Sequence, residues 1–138
     1  MVERLLILLA LSGSIALGWL LLRRLLAQRL QLLATQRPFT ALVPSGRPAV
    51  VAFTLPSCVE CRTRQTPALT RLQQQLGAAA QITTLRADDH GDLVAQLGIM
   101  TVPATVVLDA AGVVRALNHG FTDEVRLLGQ LAPYAPER

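Results

Sequence analysis

The chain has 138 residues, 51% of them hydrophobic, and carries thirteen arginines and no lysine against nine acids, a net charge of +4. Five arginines and one acid fall in the first 45 residues, so the other 93 hold eight arginines and eight acids and are neutral. The excess charge therefore marks a membrane-flanking cluster (Arg23, Arg24, Arg29, Arg37) rather than a nucleic-acid-binding surface, and two cysteines are too few for a structural disulfide framework.

Leu5 to Leu22 is eighteen residues without a charge. As a helix rising about 1.5 Å per residue it is roughly 27 Å long, close to the hydrocarbon thickness of a bilayer, so one transmembrane helix is expected. Ala16-Leu17-Gly18 has the small-x-small form of a leader cleavage site. The apolar run nevertheless continues through Trp19-Leu20-Leu21-Leu22, longer than a leader's apolar core. No cysteine follows the run, which argues against a lipid-modified anchor. The arginines after Leu22 outweigh Arg4 and the amine before Leu5, and the positive-inside rule then puts the C-terminal side in the cytoplasm. Ala10, Ser14 and Gly18 recur every four residues, a spacing at which two such helices can pack as a dimer. Leu25, Leu26, Leu30 and Leu33 form an apolar stripe beside Arg23, Arg24 and Arg29, as in an interfacial helix with arginines near lipid phosphates. Pro38 ends that helix. Residues 1–37 are thus read as a transmembrane helix (about 5–22) with a basic juxtamembrane extension, and 38–48 as a linker through Pro44-Ser45-Gly46.

Ala49-Val50-Val51-Ala52-Phe53, bounded by Pro48 and Pro56, is expected to be a buried central strand. A helix starts at Cys58, with Leu69, Leu72 and Leu76 facing the core, Pro67 kinking it and Gly77 ending it. Ile82 to Arg86 is a second strand and Asp88-Asp89-His90-Gly91 a loop. Asp92 to Leu97 is a short helix closed by Gly98. Thr105 to Leu108 is a third strand, turned by Asp109-Ala110-Ala111-Gly112 into a hairpin partner, Val113 to Leu117. Thr122 can cap a last helix with Asp123 and Glu124 in its first turn and Val125, Leu128 and Leu131 facing inward. Residues 132–138 are a loose tail. Parallel strands joined by helices, followed by an antiparallel hairpin, give an α/β domain over 49–131: a central mixed sheet flanked by helices.

The chain's two cysteines, Cys58 and Cys61, form a Cys-x-x-Cys at the strand-to-helix junction, and Thr101-Val102-Pro103-Ala104-Thr105 precedes the third strand. In these features, over roughly residues 39–131, the chain resembles the thioredoxin family. The resemblance implies a thioredoxin-like fold, a cis Pro103 lying against the cysteines, and main-chain pairing of Val102 with an extended substrate peptide. It also makes Gly120 the small residue beside the active site. The departures are as clear. Ser57 stands where the family has Trp, Val59-Glu60 where it has Gly-Pro, and Ala52 where it has a buried acid. Pro67 comes one residue late.

A thiolate at a helix N-terminus is favoured by the unpaired N–H groups and the helix dipole, so Cys58 is the expected attacker and Cys61, one turn on, the resolving thiol. Glu60 is expected to disfavour the neighbouring thiolate and so favour the disulfide form, or to accept the Cys61 proton; the plainer reading is a solvated helix-start carboxylate. The expected activity is a membrane-anchored thiol–disulfide oxidoreductase, a reductase, that needs no cofactor beyond the cysteine pair. Its partners are protein disulfides and an electron-donating reductase or membrane carrier. Two other readings are a zinc or copper module joining the cysteines to His90 or His119, and a redox-inactive peptide-binding domain.

Overall fold

The computed structural model describes residues 1–135; residues 136–138 of the expected tail lie outside the described residues. The chain divides into two compact units, Met1–Leu32 and Leu33 onward.

Helix α1 (Val2–Gln36) is a single run of 35 residues, rich in leucine, alanine and arginine and continuous through Gly13 and Gly18. Its apolar window has a mean hydropathy of 2.4 and buries none of its side chains within the protein, so the helix is long and apolar enough to cross a membrane. The Ser14 hydroxyl donates to the Ala10 carbonyl, and the Arg23 guanidinium lies over the Trp19 ring, 4.6 Å from its centroid. Both pairs are neighbours one turn apart on a helix surface.

The second unit is built on a four-stranded sheet of order β2-β1-β3-β4, formed by β1 (Ala49–Thr54), β2 (Gln81–Arg86), β3 (Ala104–Leu108) and β4 (Val114–His119). β1 pairs parallel with β2 and antiparallel with β3, and β3 pairs antiparallel with β4. The expected parallel third strand is therefore corrected: β3 runs against β1. Between Arg86 and Ala104 the chain forms only α3 (Gly91–Leu97), seven residues and about 10 Å long. A parallel crossover would have to carry the chain back along the whole strand, whereas this connection stays at one end of the sheet.

The two central strands are mostly apolar, with Thr54 and Thr105 as their polar residues, because both their faces are covered. On one face Val50, Ala52 and Val107 pack with Leu69 and Leu72 of α2 (Thr66–Leu76) and with Leu127 and Leu131 of α4 (Glu124–Leu131). Arg71 clamps the same two helices, its Nε and Nη2 donating to the two Glu124 carboxylate oxygens at 2.7 and 3.1 Å. That hydrogen-bonded pair holds the Glu124 carboxyl below its ordinary pKa. Alternation along β1 puts Phe53 on the other face, where its ring meets Phe39 at a centroid distance of 6.3 Å.

Phe39 is part of the segment expected as a linker. It and Val43 are buried, as is Leu33, so the globular unit begins well before residue 49. The last helix also differs in register. Its N-cap is Asp123, whose carboxylate accepts from the Arg126 N–H at 2.8 Å, in place of Thr122. That shift turns Leu127 into the core and leaves Val125 74% exposed. Within the expected tail, Ala132–Tyr134 forms a 3-10 turn.

Phe39→Ala is expected to lower the unfolding free energy of the full chain in detergent by about 3–5 kcal/mol in equilibrium denaturation, as for other buried phenylalanines. A loss below about 1 kcal/mol would return residues 38–48 to the status of a linker.

Candidate active site

After β1 the chain turns at Pro56-Ser57, closed by the Cys58 N–H donating to the Leu55 carbonyl at 3.0 Å. Helical conformation begins at Val59, which makes Cys58 the N-cap residue. Its sulfur takes the place of a capping oxygen: the Cys61 N–H donates to Cys58 Sγ at 3.1 Å. Cys58 is partly exposed and Cys61 is 3% exposed. The two are joined as a disulfide with their Cα atoms 5.3 Å apart. The more exposed of the two is the cysteine that sequence reasoning expected as the attacker.

From Cys61 to Gln65 the helix widens into a π turn, in which the Thr66 N–H donates to the Cys61 carbonyl five residues back. The expected kink at Pro67 takes this form. Pro67 has no N–H to continue an α ladder, and the widened turn lies just ahead of it. The turn also buries Gln65, which is 2% exposed. Its Nε2 donates to the Thr122 carbonyl at 2.9 Å, and its Oε1 accepts from the Thr122 N–H at 3.0 Å. One side-chain amide thus fills both hydrogen-bonding groups of a buried backbone residue 57 positions away. Thr122 serves as the anchor of the loop after β4, a role that replaces the expected capping one.

Register brings the other site residues to the same end of the sheet. Phe53 pairs with Ala104, and Ala104 pairs with His119. Pro103, just before Ala104, and Gly120, just after His119, therefore flank the end of β1 from which the chain runs to Cys58. The Val102–Pro103 peptide is cis, as the resemblance implied, with Pro103 buried and Val102 partly exposed. At Gly120 a Cβ would meet nothing within 4 Å, but φ is +79°. Glycine is required there by backbone conformation, not by crowding.

Ser57 and Glu60 are exposed. Glu60 accepts from Arg64 Nη1 at 2.9 Å, one turn along the helix surface. The buried polar side chains among the described residues are Gln65, Thr105, Asn118 and Thr122, so no carboxylate stands in the interior in place of the acid replaced by Ala52. The histidines do not join the cysteines. His90 precedes α3 and His119 ends β4, and among the described residues no three His, Cys, Asp or Glu side chains group as a metal would require.

Three features escaped sequence reasoning. Gln65 is polar on a helix whose inward positions were sought among leucines. Arg64 contacts a residue far along the chain, Phe121, its guanidinium 4.1 Å from the ring centroid. A cavity of about 270 Å³ lies beside Val102, lined by Leu55, Ala87, Asp88, Val94, Ile99, Met100 and Thr101. Met100 is 92% exposed at its rim, and its place in an irregular loop gave no periodic signal.

No protein-family model matches the chain, and no curated protein does. Solved structures do. An uncharacterised thioredoxin-like protein from Clostridium perfringens superposes with a TM-score of 0.61 at 20% identity, covering 67% of this chain and 74% of that one. Thioredoxin-2, a component of the malaria parasite's protein secretion machinery, gives 0.60 at 16%, covering 68% and 89%. A mutant thioredoxin from Halobacterium salinarum gives 0.58 at 22%, covering 67% and 79%. The fold is thioredoxin-like.

Gln65→Met keeps the side-chain volume and removes both hydrogen bonds to Thr122. It is expected to cost about 2–4 kcal/mol of stability in denaturant titration, the penalty of leaving buried backbone groups unpaired. A change below about 0.5 kcal/mol would show that the clamp is dispensable.

Proposed function

We propose that this chain is a membrane-anchored thiol–disulfide oxidoreductase acting as a reductase of protein disulfides. The observation that carries the reading is the asymmetry of the cysteine pair: a partly exposed sulfur at a helix N-cap and a buried one a turn later, at the end of a thioredoxin-like sheet where Val102-Pro103 enters β3.

The cycle starts from the dithiol. The Cys58 thiolate, favoured by the helix N-terminus and by the Cys61 N–H directed at its sulfur, attacks one sulfur of a substrate disulfide. The substrate S–S bond breaks, one substrate thiolate leaves and takes a proton from solvent, and a mixed disulfide forms on Cys58. Cys61 then loses its proton and attacks Cys58 Sγ, releasing the second substrate thiol and closing the Cys58–Cys61 disulfide. Two electrons pass to the substrate, and an electron-donating reductase or a membrane carrier must restore the dithiol.

Val102, Pro103 and Gly120 are assigned to holding the substrate peptide, with the Val102 main chain pairing along it. The adjoining cavity, bounded by Leu55, Ile99 and Met100, suits an apolar side chain of the bound peptide. In this reading helix α1 is the anchor, and the positive-inside rule applied to its arginine flank supports a domain on the cytoplasmic side. The reducing direction follows from that compartment, where soluble dithiol donors keep thiols reduced.

Purified full-length protein in detergent is expected to catalyse insulin reduction by dithiothreitol. Cys58→Ser should remove the catalysis, and Cys61→Ser should reduce multiple turnover at least ~100-fold, because resolution then depends on outside thiol. Insulin reduction that survives Cys58→Ser would remove the redox role and leave peptide binding.

In intact cells, Cys58 of a Cys61→Ser variant is expected to resist a membrane-impermeant maleimide after reduction until the cells are permeabilised. Labelling without permeabilisation would place the domain outside and require an electron supply across the membrane.

A further inference from the structure

We infer that Arg64 is a positioning residue for the dithiol, neutralising Glu60 and thereby keeping the Cys58 thiolate accessible. The inference rests on the redox reading of the cysteine pair.

Glu60 is the carboxylate between the two cysteines. Left alone, it would sit within a turn of the Cys58 sulfur and disfavour its ionisation. Arg64 meets it with Nη1 donating to Oε1 at 2.9 Å. Exposed pairs of this kind are ordinarily weak, because long side chains lose freedom to make them and water screens them. Here the guanidinium has a second partner that restrains it, the Phe121 ring, 4.1 Å from centroid to Cζ. Phe121 is itself held between Gly120 and Thr122, and Thr122 is fixed by the buried Gln65 amide. The cation is therefore stationed over the dithiol helix by the loop after β4.

The other charges at this end of the sheet do not substitute for it. Arg62, a second cation on the dithiol helix, keeps its charge but is bonded to the Pro56 carbonyl and not to Glu60. Asp88 and Asp89 are paired with Arg86, and Glu124 with Arg71. Asp123 caps α4, and His119 is exposed at the end of β4. Arg64 is the cation bonded to the acid of the Cys-x-x-Cys.

The sign follows directly. Removing Arg64 leaves Glu60 uncompensated, so the Cys58 thiolate is destabilised, the reduced protein loses that stabilisation, and the disulfide form gains. In the exchange of protein dithiol plus oxidised glutathione for protein disulfide plus two reduced glutathiones, the equilibrium moves toward protein disulfide. Removing Glu60 alone does the reverse.

The test uses the full chain in detergent. The pH dependence of Cys58 alkylation by iodoacetamide is followed in a Cys61→Ser background, and the glutathione equilibrium is measured with both cysteines present. Neither readout requires the protein to reduce a substrate, so failure of the reductase reading is recognised separately in the insulin assay. Arg64→Gln is expected to raise the alkylation midpoint by about 0.3–0.5 pH unit, the effect of one unit charge a helical turn away in a mostly aqueous setting. It should move the glutathione equilibrium about two-fold toward disulfide. Glu60→Gln should shift both the other way, Arg64→Lys should stay near the parent, and about 1 M salt should shrink every difference. In the Glu60→Gln background, Arg64→Gln still removes one cation's own field but no longer exposes the carboxylate, so its shift should fall by at least half. Should Arg64→Gln not fold, the Glu60→Gln and Arg64→Lys results decide alone. An unchanged midpoint in Arg64→Gln, or in Glu60→Gln, would overturn the inference. So would a shift of equal size with and without Glu60.

Discussion

The site depends on the register of β3 between β1 and β4. Strand β3 is hydrogen-bonded on both edges and covered on both faces, and all five of its residues are buried. In a strand so enclosed, a slip of one residue would turn every side chain to the opposite face. Thr105 pairs with Asn118 in the observed register, and the Asn118 amide donates to the Thr105 hydroxyl at 3.1 Å and exchanges hydrogen bonds with Gln130 of α4. A shifted β4 would leave these buried polar groups without partners, so the network specifies the register as well as stabilising it. With the register fixed, Pro103 and Gly120 are brought to the end of β1, beside the turn that leads to Cys58.

Around that fixed edge the dithiol helix is fastened by polar side chains. Gln65 ties it to the loop after β4, Arg62 ties it back to Pro56, and Arg64 reaches Phe121. The two sulfurs differ in their surroundings. Cys58 is partly exposed and its sulfur accepts from the Cys61 N–H, whereas Cys61 is buried, an asymmetry that suits the proposed exchange. Apolar lining at Leu55 and Met100 extends the site on the Val102 side.

The sequence showed most of this, for reasons that differ by element. The Cys-x-x-Cys at a strand-to-helix junction made both cysteines legible, and the cis proline was legible only through the family resemblance that Val102-Pro103 before a strand supports. The apolar run of α1 was legible from length alone. Segments governed by tertiary partners were not. Phe39 lies among turn residues and has no periodic neighbours, so only the structure shows its ring against Phe53. The antiparallel direction of β3 depends on the short α3 connection staying at one end of the sheet, which strand composition does not encode. Thr122 and Asp123 are both good caps, and the choice between them was made by Gln65, whose amide occupies the Thr122 backbone.

The most direct test of exchange through Cys58 is the covalent intermediate itself. Reduced full-length Cys61→Ser protein in detergent would be mixed with a peptide disulfide, quenched in acid and mapped by mass spectrometry after proteolysis. The account predicts one peptide in disulfide linkage to Cys58. No adduct on Cys58, at peptide concentrations that trap Cys61 in the Cys58→Ser protein, would contradict it.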